Sequence, residues 1–536
     1  MSASDAAGRL PAHGKDQAAA QAPAKPAGAK KKYLTAFALA NINVVAVLGI
    51  RNFPIMAQYG WASVTWYLLG TLFFLLPVSL IGAELATGPW PQEGGLYSWV
   101  RNGLNDRLGM TSVWCEWTEN VVWFPTFLSF LAASFAYIIS PNLANNGVYM
   151  LTVMLVVLWA VTIVGYFGAR ENSKLTNVGS ILGTILPCLL LIVFWWVYVG
   201  EGKTSEIPVS AGAFAPSFAL SNLPFVASVV LIFAGMEVAG FSADKMRNPQ
   251  REFPVAMFWS AGIVFLLTVL GTLAIAVVVP AKDINLAGGV MQAFRGFYTS
   301  LHISWMTIVT GILLFIGNVG GLAAWVYGPA KGLGMARRGG YLPPVFYRSN
   351  KHDSPVAVLL MQAVIGTILS FLFILLPSVS AAYWVLTVFT TEVLCIMYIL
   401  MFSSALRMRR LKPVDKFPRG YAAGPAPVYY TLCVLGIISV GFALFVGLFP
   451  TSQTNLSTGA YIAVIALGTI ILAFLPVVFL PFRKPSWGAA ALQEAGGGPP
   501  GEPSSAKSDQ AAEGDQDRQQ VGTPRQPGQH GSGSTS

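Results

Sequence analysis

Apolar residues in this chain gather into runs of about twenty, the length that carries an α-helix across a hydrocarbon core of about 30 Å. The runs recur through the middle of the chain. They predict twelve spans, over residues 34–59, 62–87, 112–139, 147–167, 174–200, 223–246, 255–279, 303–330, 355–377, 381–406, 427–449 and 457–481. The fold class this predicts is an all-α integral membrane protein of twelve transmembrane helices.

Two of the spans carry polar interruptions. The first contains AVLGIRNFP, residues 46–54, with Gly49, Arg51 and Pro54 set in apolar sequence. The sixth contains FAGMEVAGF, residues 233–241, with Gly235, Gly240 and the ionisable Glu237, and leads into the basic, proline-bounded loop KMRNPQREFP. An acid near mid-bilayer costs roughly 2.5–3.5 kcal/mol on insertion scales, so it is kept where it faces protein or a water-filled cavity. Glycines beside it let the helix open, which is tolerated at membrane depth where the freed backbone lines a site. Two interrupted spans lying five apart are the expected mark of an inverted repeat. The repeats would cover about residues 34–200 and 223–406, with spans 11 and 12 added. Pro77, Pro125 and Pro187 read as kinks, and Gly179 with Gly183 as a packing face. Residues 89–100, PWPQEGGLYSWV, are too polar to span and predict a short re-entrant or interfacial helix.

Composition agrees with this picture. Of 536 residues 54% are hydrophobic and 10% charged, and mean hydropathy is +0.60, whereas soluble domains carry about 25% charged residues. The net charge of +10 is distributed by topology. Even-numbered loops hold most of the Lys and Arg, among them Arg101, Arg107, Lys245, Arg247, Arg251, Lys331, Arg348 and Arg409, while the opposite loops hold Lys203, Lys282 and Arg295. The positive-inside rule then puts both termini in the cytoplasm and the helices in the inner (plasma) membrane. The charge is not a nucleic-acid footprint. Residues 1–32 form a tail without the apolar core of a signal peptide, residues 33–482 the twelve-helix domain, and residues 483–536 a tail whose composition predicts disorder. Cys115, Cys188, Cys395 and Cys433 lack C-x-x-C spacing and suggest neither disulfides nor a metal site.

Four stretches carry a resemblance: GAELATGPWPQEGGLYSWV, FAGMEVAGFSADKMRNPQREFP, INLAGGVMQAF and AAWVYGPAKGL. In this order they resemble the amino acid–polyamine–organocation transporters, and within them the bacterial glutamate/GABA antiporter branch, over residues 33–482. The resemblance implies a LeuT-type fold, substrate held between helices 1, 3, 6, 8 and 10, and exchange of one amino acid for another. By position, Val47, Leu48 and Gly49, with Ile50 and Arg51 following, would form the unwound part of helix 1, its amides facing the substrate carboxylate. Ile232, Phe233 and Ala234, beside Gly235, would offer carbonyls to the substrate amine. Glu237 matches a helix-6 glutamate, Trp325 a helix-8 aromatic and Tyr398 a helix-10 tyrosine. The chain departs from the family in three ways. Val47-Leu48-Gly49 replaces the superfamily's Gly-Ser-Gly, Arg51 and Leu394 stand where tyrosines are expected, and the tail after Arg483 shows no folded plug.

The candidate residues carry alternatives. Glu237 is either a proton-sensitive gate or a structural acceptor for amides freed by the break. Arg51 presents a two-pronged donor suited to a substrate carboxylate, or is neutralised by Glu119 or Glu392, two other acids within the spans. The cost of an unpaired buried charge favours the internal pair. Trp325 either closes over the substrate or packs. The leading function is a secondary amino-acid exchanger working by alternating access; a proton-coupled importer using Glu119, Glu237 and Glu392, and a nutrient sensor that keeps the fold, are the alternatives. An enzyme is disfavoured: four histidines, two in the tails, supply no metal cluster, and no G-x-x-x-x-G-K-[ST] occurs. No cofactor is implied. The partners are amino acid or amine substrates and the lipid bilayer, with monomer and homodimer both open.

Overall fold

The computed structural model describes residues 33–487 apart from 89–94, 169–178, 180, 221–222, 238–245, 334–340, 347, 412–420, 452, 455–456, 480–483 and 485. Residues 1–32, nearly all of the predicted C-terminal tail, and residues 238–245, which follow Glu237 in the sixth span, lie outside the described residues. Among those described, the regular elements are all helices and none is a strand.

The first span is α1 (Ala36–Val47) and α2 (Phe53–Ala57), separated by a break. The second is α3 (Ala62–Gly70) and α4 (Leu76–Thr87), joined by a wide turn at Thr71–Leu75. There follow α5 (Leu96–Gly103), α6 (Asp106–Ile139), α7 (Gly147–Tyr166) and α8 (Leu186–Gly200). The short α9 (Ser228–Phe233) precedes α10 (Pro249–Val278), α11 (Gly289–Ser300) and α12 (Met306–Leu333). The last are α13 (Val356–Ser370), α14 (Leu372–Leu375), α15 (Val379–Leu411), α16 (Ala426–Gly447) and α17 (Thr458–Phe479). Eleven helical segments among the described residues are long and apolar enough to cross a membrane. The sixth predicted span is represented by an apolar helix over Pro224–Phe233, too short to cross alone.

Burial sorts these helices. In α6, 83% of the most apolar window is buried, and in α15 78%, against 22% in α17. The two therefore form the centre, α6 packing on α12 and α15, while α17 turns much of its apolar surface outward as a lipid-facing helix does. Glycine sets the closest approaches. A Cβ on Gly179 would stand 2.4 Å from the Gly317 carbonyl oxygen, and one on Gly183 would stand 2.5 Å from the Gly317 carbonyl carbon. The G-x-x-x-G of span 5 is thus a packing face against α12.

The end of the segment predicted as a short helix, residues 96–100, lies in α5, which runs on to Gly103; residues 89–94 of that segment lie outside the described residues. Its Tyr97 donates to Asp106 Oδ1 at 2.8 Å, and Arg101 pairs with the same carboxylate at 3.3 Å. Burial and the Asp106 carboxylate hold the Tyr97 phenol above its ordinary range. Beside it, Ser404 of α15 donates to the Trp99 carbonyl at 2.6 Å.

The sequence reading missed one buried ion pair. Arg409 Nη1 of α15 binds Glu84 Oε1 of α4, both side chains almost fully buried. Each partner also holds the segment before α16: the Ala423 N–H donates to Glu84 Oε2 at 2.8 Å, and Arg409 Nη2 donates to the Gly424 carbonyl at 2.7 Å. The Arg409 guanidinium lies 4.6 Å from the centre of the Tyr429 ring. With its remaining groups satisfied, the pair fastens α4, α15 and α16 at one end of the bundle.

Removing one partner strands the other charge. Arg409→Leu is expected to cost about 3–5 kcal/mol, seen as a large fall in the melting temperature of the detergent-solubilised protein. Adding Glu84→Gln, which still accepts from Ala423, is expected to recover most of that loss. A double variant no more stable than Arg409→Leu would contradict the pairing.

Candidate functional site

The first break follows from local backbone. α1 stops at Val47; Leu48 is extended (ψ 102°), Gly49 sits at φ −115°, ψ 89°, and a 3-10 turn over Ile50–Asn52 restarts the helix. Pro54, near the start of α2, needs no intrahelical donor there. The N–H groups of Gly49, Ile50 and Arg51 donate to no described residue. On the acceptor side, Tyr383 of α15 donates to the Arg51 carbonyl at 3.1 Å and lies 3.3 Å from Asn52 Oδ1. Gly49 eases the packing: a Cβ there would meet the tip of the Arg51 guanidinium at 3.2 Å, so the bare backbone lets the arginine fold back over it.

The second break is conformational. After Phe233 the chain turns extended at Ala234 (ψ 154°) and enters the left-handed region at Gly235, φ +102°, which favours glycine. The freed Gly235 N–H lies 3.2 Å from Glu237 Oε2 and 3.3 Å from the Tyr398 oxygen. Tyr398 in turn donates to Glu237 Oε2 at 2.9 Å. Glu237 therefore accepts both an amide opened by the break and a tyrosine from α15. A Cβ at 235 would be 3.9 Å from the Ala46 carbonyl oxygen and from Val47 Cγ2. The two breaks adjoin.

Between them lies a cavity of about 80 Å³. Val47, Arg51 and Asn52 line it from the first break, Leu231, Ala234, Gly235 and Glu237 from the second. α6 contributes Glu116, Glu119, Asn120 and Trp123, α12 contributes Trp325, and α15 Leu394 and Met397. Three carboxylates and one guanidinium thus line one small cavity between the apolar helices. An added cation, a proton or an ammonium, would bring the set nearer to neutrality.

Arg51 does not sit where charge pairing alone would put it. Its guanidinium lies 4.3 Å from the centre of the Trp123 ring and 4.6 Å from that of Phe127, and Trp123 meets Trp325 edge-on at 5.7 Å. Cation–π contacts of this kind contribute about 0.5–2 kcal/mol each. Neither carboxylate favoured as its internal partner pairs with it. Glu119 is engaged by the Asn120 side-chain amide. Glu392 points to the other side of α15, where a Cβ on Gly447 of α16 would strike its Oε1.

Of the residues expected at the site, Val47, Arg51, Ala234, Gly235, Trp325, Glu237 and Glu119 reach the cavity. Leu48, Gly49, Ile50, Ile232 and Phe233 lie behind its wall, and Tyr398 acts on it through Glu237. Glu392 stands apart from it. Sequence reasoning missed Glu116, Asn120 and Trp123. Their signal was present: 116, 119/120 and 123 follow the three-and-four spacing of one helix face.

The amino acid permease family model matches residues 32–474. An uncharacterized transporter of Legionella pneumophila is 39% identical over 84% of this chain and 97% of its own length. A glutamate/gamma-aminobutyrate antiporter of Lactococcus lactis is 26% identical over 84% of this chain and 90% of its own. A probable agmatine/putrescine antiporter of the same species is 22% identical over 83% and 95%.

The two glycines of the breaks should respond differently to alanine. Gly235→Ala makes only ordinary van der Waals contact yet forces a positive φ, a strain of about 1–3 kcal/mol; Gly49→Ala meets only the movable tip of Arg51. Thermal melting should show the larger fall for Gly235→Ala. Equal shifts, or a larger one at Gly49, would contradict this account of the breaks.

Proposed function

The chain belongs to the amino acid permease family, as a multi-pass membrane protein of amino-acid transport or exchange and not an enzyme, and from this premise we propose that it is a secondary exchanger working by alternating access. The observation that carries the reading is the cavity at the meeting of the two breaks, with a guanidinium and three carboxylates around it. A zwitterionic amino acid carries one group for each. Its carboxylate would be met by the free backbone N–H of Arg51 and its ammonium by the acidic wall of Glu116, Glu119 and Glu237, which leaves the Arg51 guanidinium for a second acidic group. With a second anion-binding device so close to the amides, an acidic amino acid is accommodated as well as a neutral one. The antiporter of Lactococcus lactis similar to this chain is named for glutamate and γ-aminobutyrate, and an amino acid–amine exchange of that kind fits a site with both charges.

In this reading α9 and the segment after it form a sixth crossing, giving twelve. Helices 1–5 and 6–10 form a LeuT-type inverted repeat, and both termini are cytoplasmic in an inner membrane, as the basic loops suggest. A second reading is a proton-coupled importer, favoured by the excess of carboxylates over basic groups in the cavity.

Counterflow separates the two. Proteoliposomes preloaded with each amino acid or its decarboxylated amine in turn should release label when external substrate is added, without an imposed ion gradient. Uptake that collapses with the proton or sodium gradient and leaves no counterflow would favour the importer.

Arg51→Leu tests the substrate assignment. With no internal carboxylate paired to it, the variant should keep near-normal stability and lose affinity for acidic substrates selectively, by about 1.5–3 kcal/mol for one charged hydrogen bond. Equal loss for acidic and neutral substrates would remove the arginine from substrate recognition.

A further inference from the structure

A second cavity, of about 310 Å³, adjoins the central one between α6 and α12. The two share Glu116, Asn120 and Trp325 on their walls. Among the described residues, the rest of the second cavity is apolar apart from Trp117, and Glu116 is the one ionisable group that lines it. It lies toward the Asp106 end of α6 and the Leu333 end of α12, the end of the molecule where Arg101 pairs with Asp106 and Lys331 with Asp353.

Its size is built into the chain. Gly328 and Gly332 are one helical turn apart on its wall, and a Cβ on either would meet nothing within 4 Å. The glycines of Gly179, Gly183 and Gly317 let backbones touch; these two hold space open. Among the described residues, the Glu116 carboxylate accepts no hydrogen bond and forms no ion pair. Lys331, the nearby cation of α12, is engaged by Asp353 at 2.5 Å.

We propose that this vestibule is a second subsite, for the ammonium group of an alkylamine, with Glu116 as its counter-charge and Trp117 and Trp325 as its aromatic walls. The chemistry of the walls selects this class. Among the described lining residues, a carboxylate or phosphate would face only a like charge. A hard divalent cation takes six or more oxygen ligands, and one carboxylate with one side-chain amide falls short. A neutral apolar molecule would leave the carboxylate unpartnered in apolar surroundings. An ammonium on an aliphatic stem meets the carboxylate and the aromatic faces together, with the stem against the apolar wall. Because Glu116 lines both cavities, an ammonium leaving the central site keeps a carboxylate partner as it passes Trp325. The vestibule is then the handover point for the amine product on the side marked by the basic loops.

The proposal rests on the exchange reading but is tested by binding. Titration calorimetry of the purified wild-type protein with n-butylammonium, and separately with an amino acid that exchanges in counterflow, gives the two reference affinities. Glu116→Gln should weaken n-butylammonium by about tenfold or more. Gly328→Leu, which fills the vestibule from the wall away from the central cavity, should weaken n-butylammonium by a similar factor and the amino acid far less. Gly332→Leu serves as the second filler if the first variant melts below the assay temperature. The proposal is overturned if the wild type does not bind n-butylammonium, if either substitution leaves that binding intact, or if filling the vestibule weakens both ligands equally. Failure of the exchange reading shows itself separately, as absent counterflow in wild-type proteoliposomes.

Discussion

Backbone groups released from a helix within a bilayer must find partners, because no water from the hydrocarbon will serve them. The breaks at Leu48–Asn52 and Ala234–Glu237 place this demand at the centre of the molecule. Part of it is met by α15 and by the second break itself: Tyr398 of α15 and Glu237 gather around the Gly235 N–H, and Tyr383 of α15 donates to the Arg51 carbonyl. The rest, the N–H groups from Gly49 to Arg51, is left without a described partner beside a cavity. A solute with a carboxylate and an ammonium is the kind of ligand such a place can hold. The constraint that makes a broken membrane helix costly therefore also makes it a binding device.

The outer architecture was legible in the sequence because bilayer thickness dictates helix length. The spans at 62–87 and 147–167 appear almost residue for residue as Ala62–Thr87 and Gly147–Tyr166. The breaks were legible because Gly, Pro and a lone acid are conspicuous in apolar runs. What escaped was set by rotation about helix axes and by distant partners. Glu392 stands two residues from Leu394, which places it on the opposite side of α15, against Gly447 rather than in the cavity. Arg51 was expected to follow charge pairing, but aromatic faces on α6 hold it, a contact that needs the tertiary packing to be seen. The Glu84–Arg409 pair joins residues more than three hundred apart, and neither local sequence announces the other. Glu116 was overlooked although it shares a helix face with Glu119.

These pieces form one connected system. Trp325 meets Trp123, Trp123 carries the Arg51 guanidinium, and Arg51 folds over Gly49 at the first break. Across the cavity Glu237 is bound to the second break and to α15. A ligand bridging Arg51 and the acidic wall would touch both breaks at once, and so bias how the two broken helices sit against each other. Alternating access requires such differential contact, since a ligand shifts an equilibrium only by its difference in affinity for the two states.

The central claim is that the cavity where the breaks meet is the substrate site, and thiol labelling tests it most directly. Ala234 lines the cavity, while Cys115, Cys188, Cys395 and Cys433 are all buried. Ala234→Cys, introduced after those four are replaced, should react with a small, water-soluble thiol reagent in exchange-competent proteoliposomes. A saturating exchangeable amino acid should protect it, and one that does not exchange should not. Labelling at the same rate with and without substrate, while exchange continues, would contradict the account.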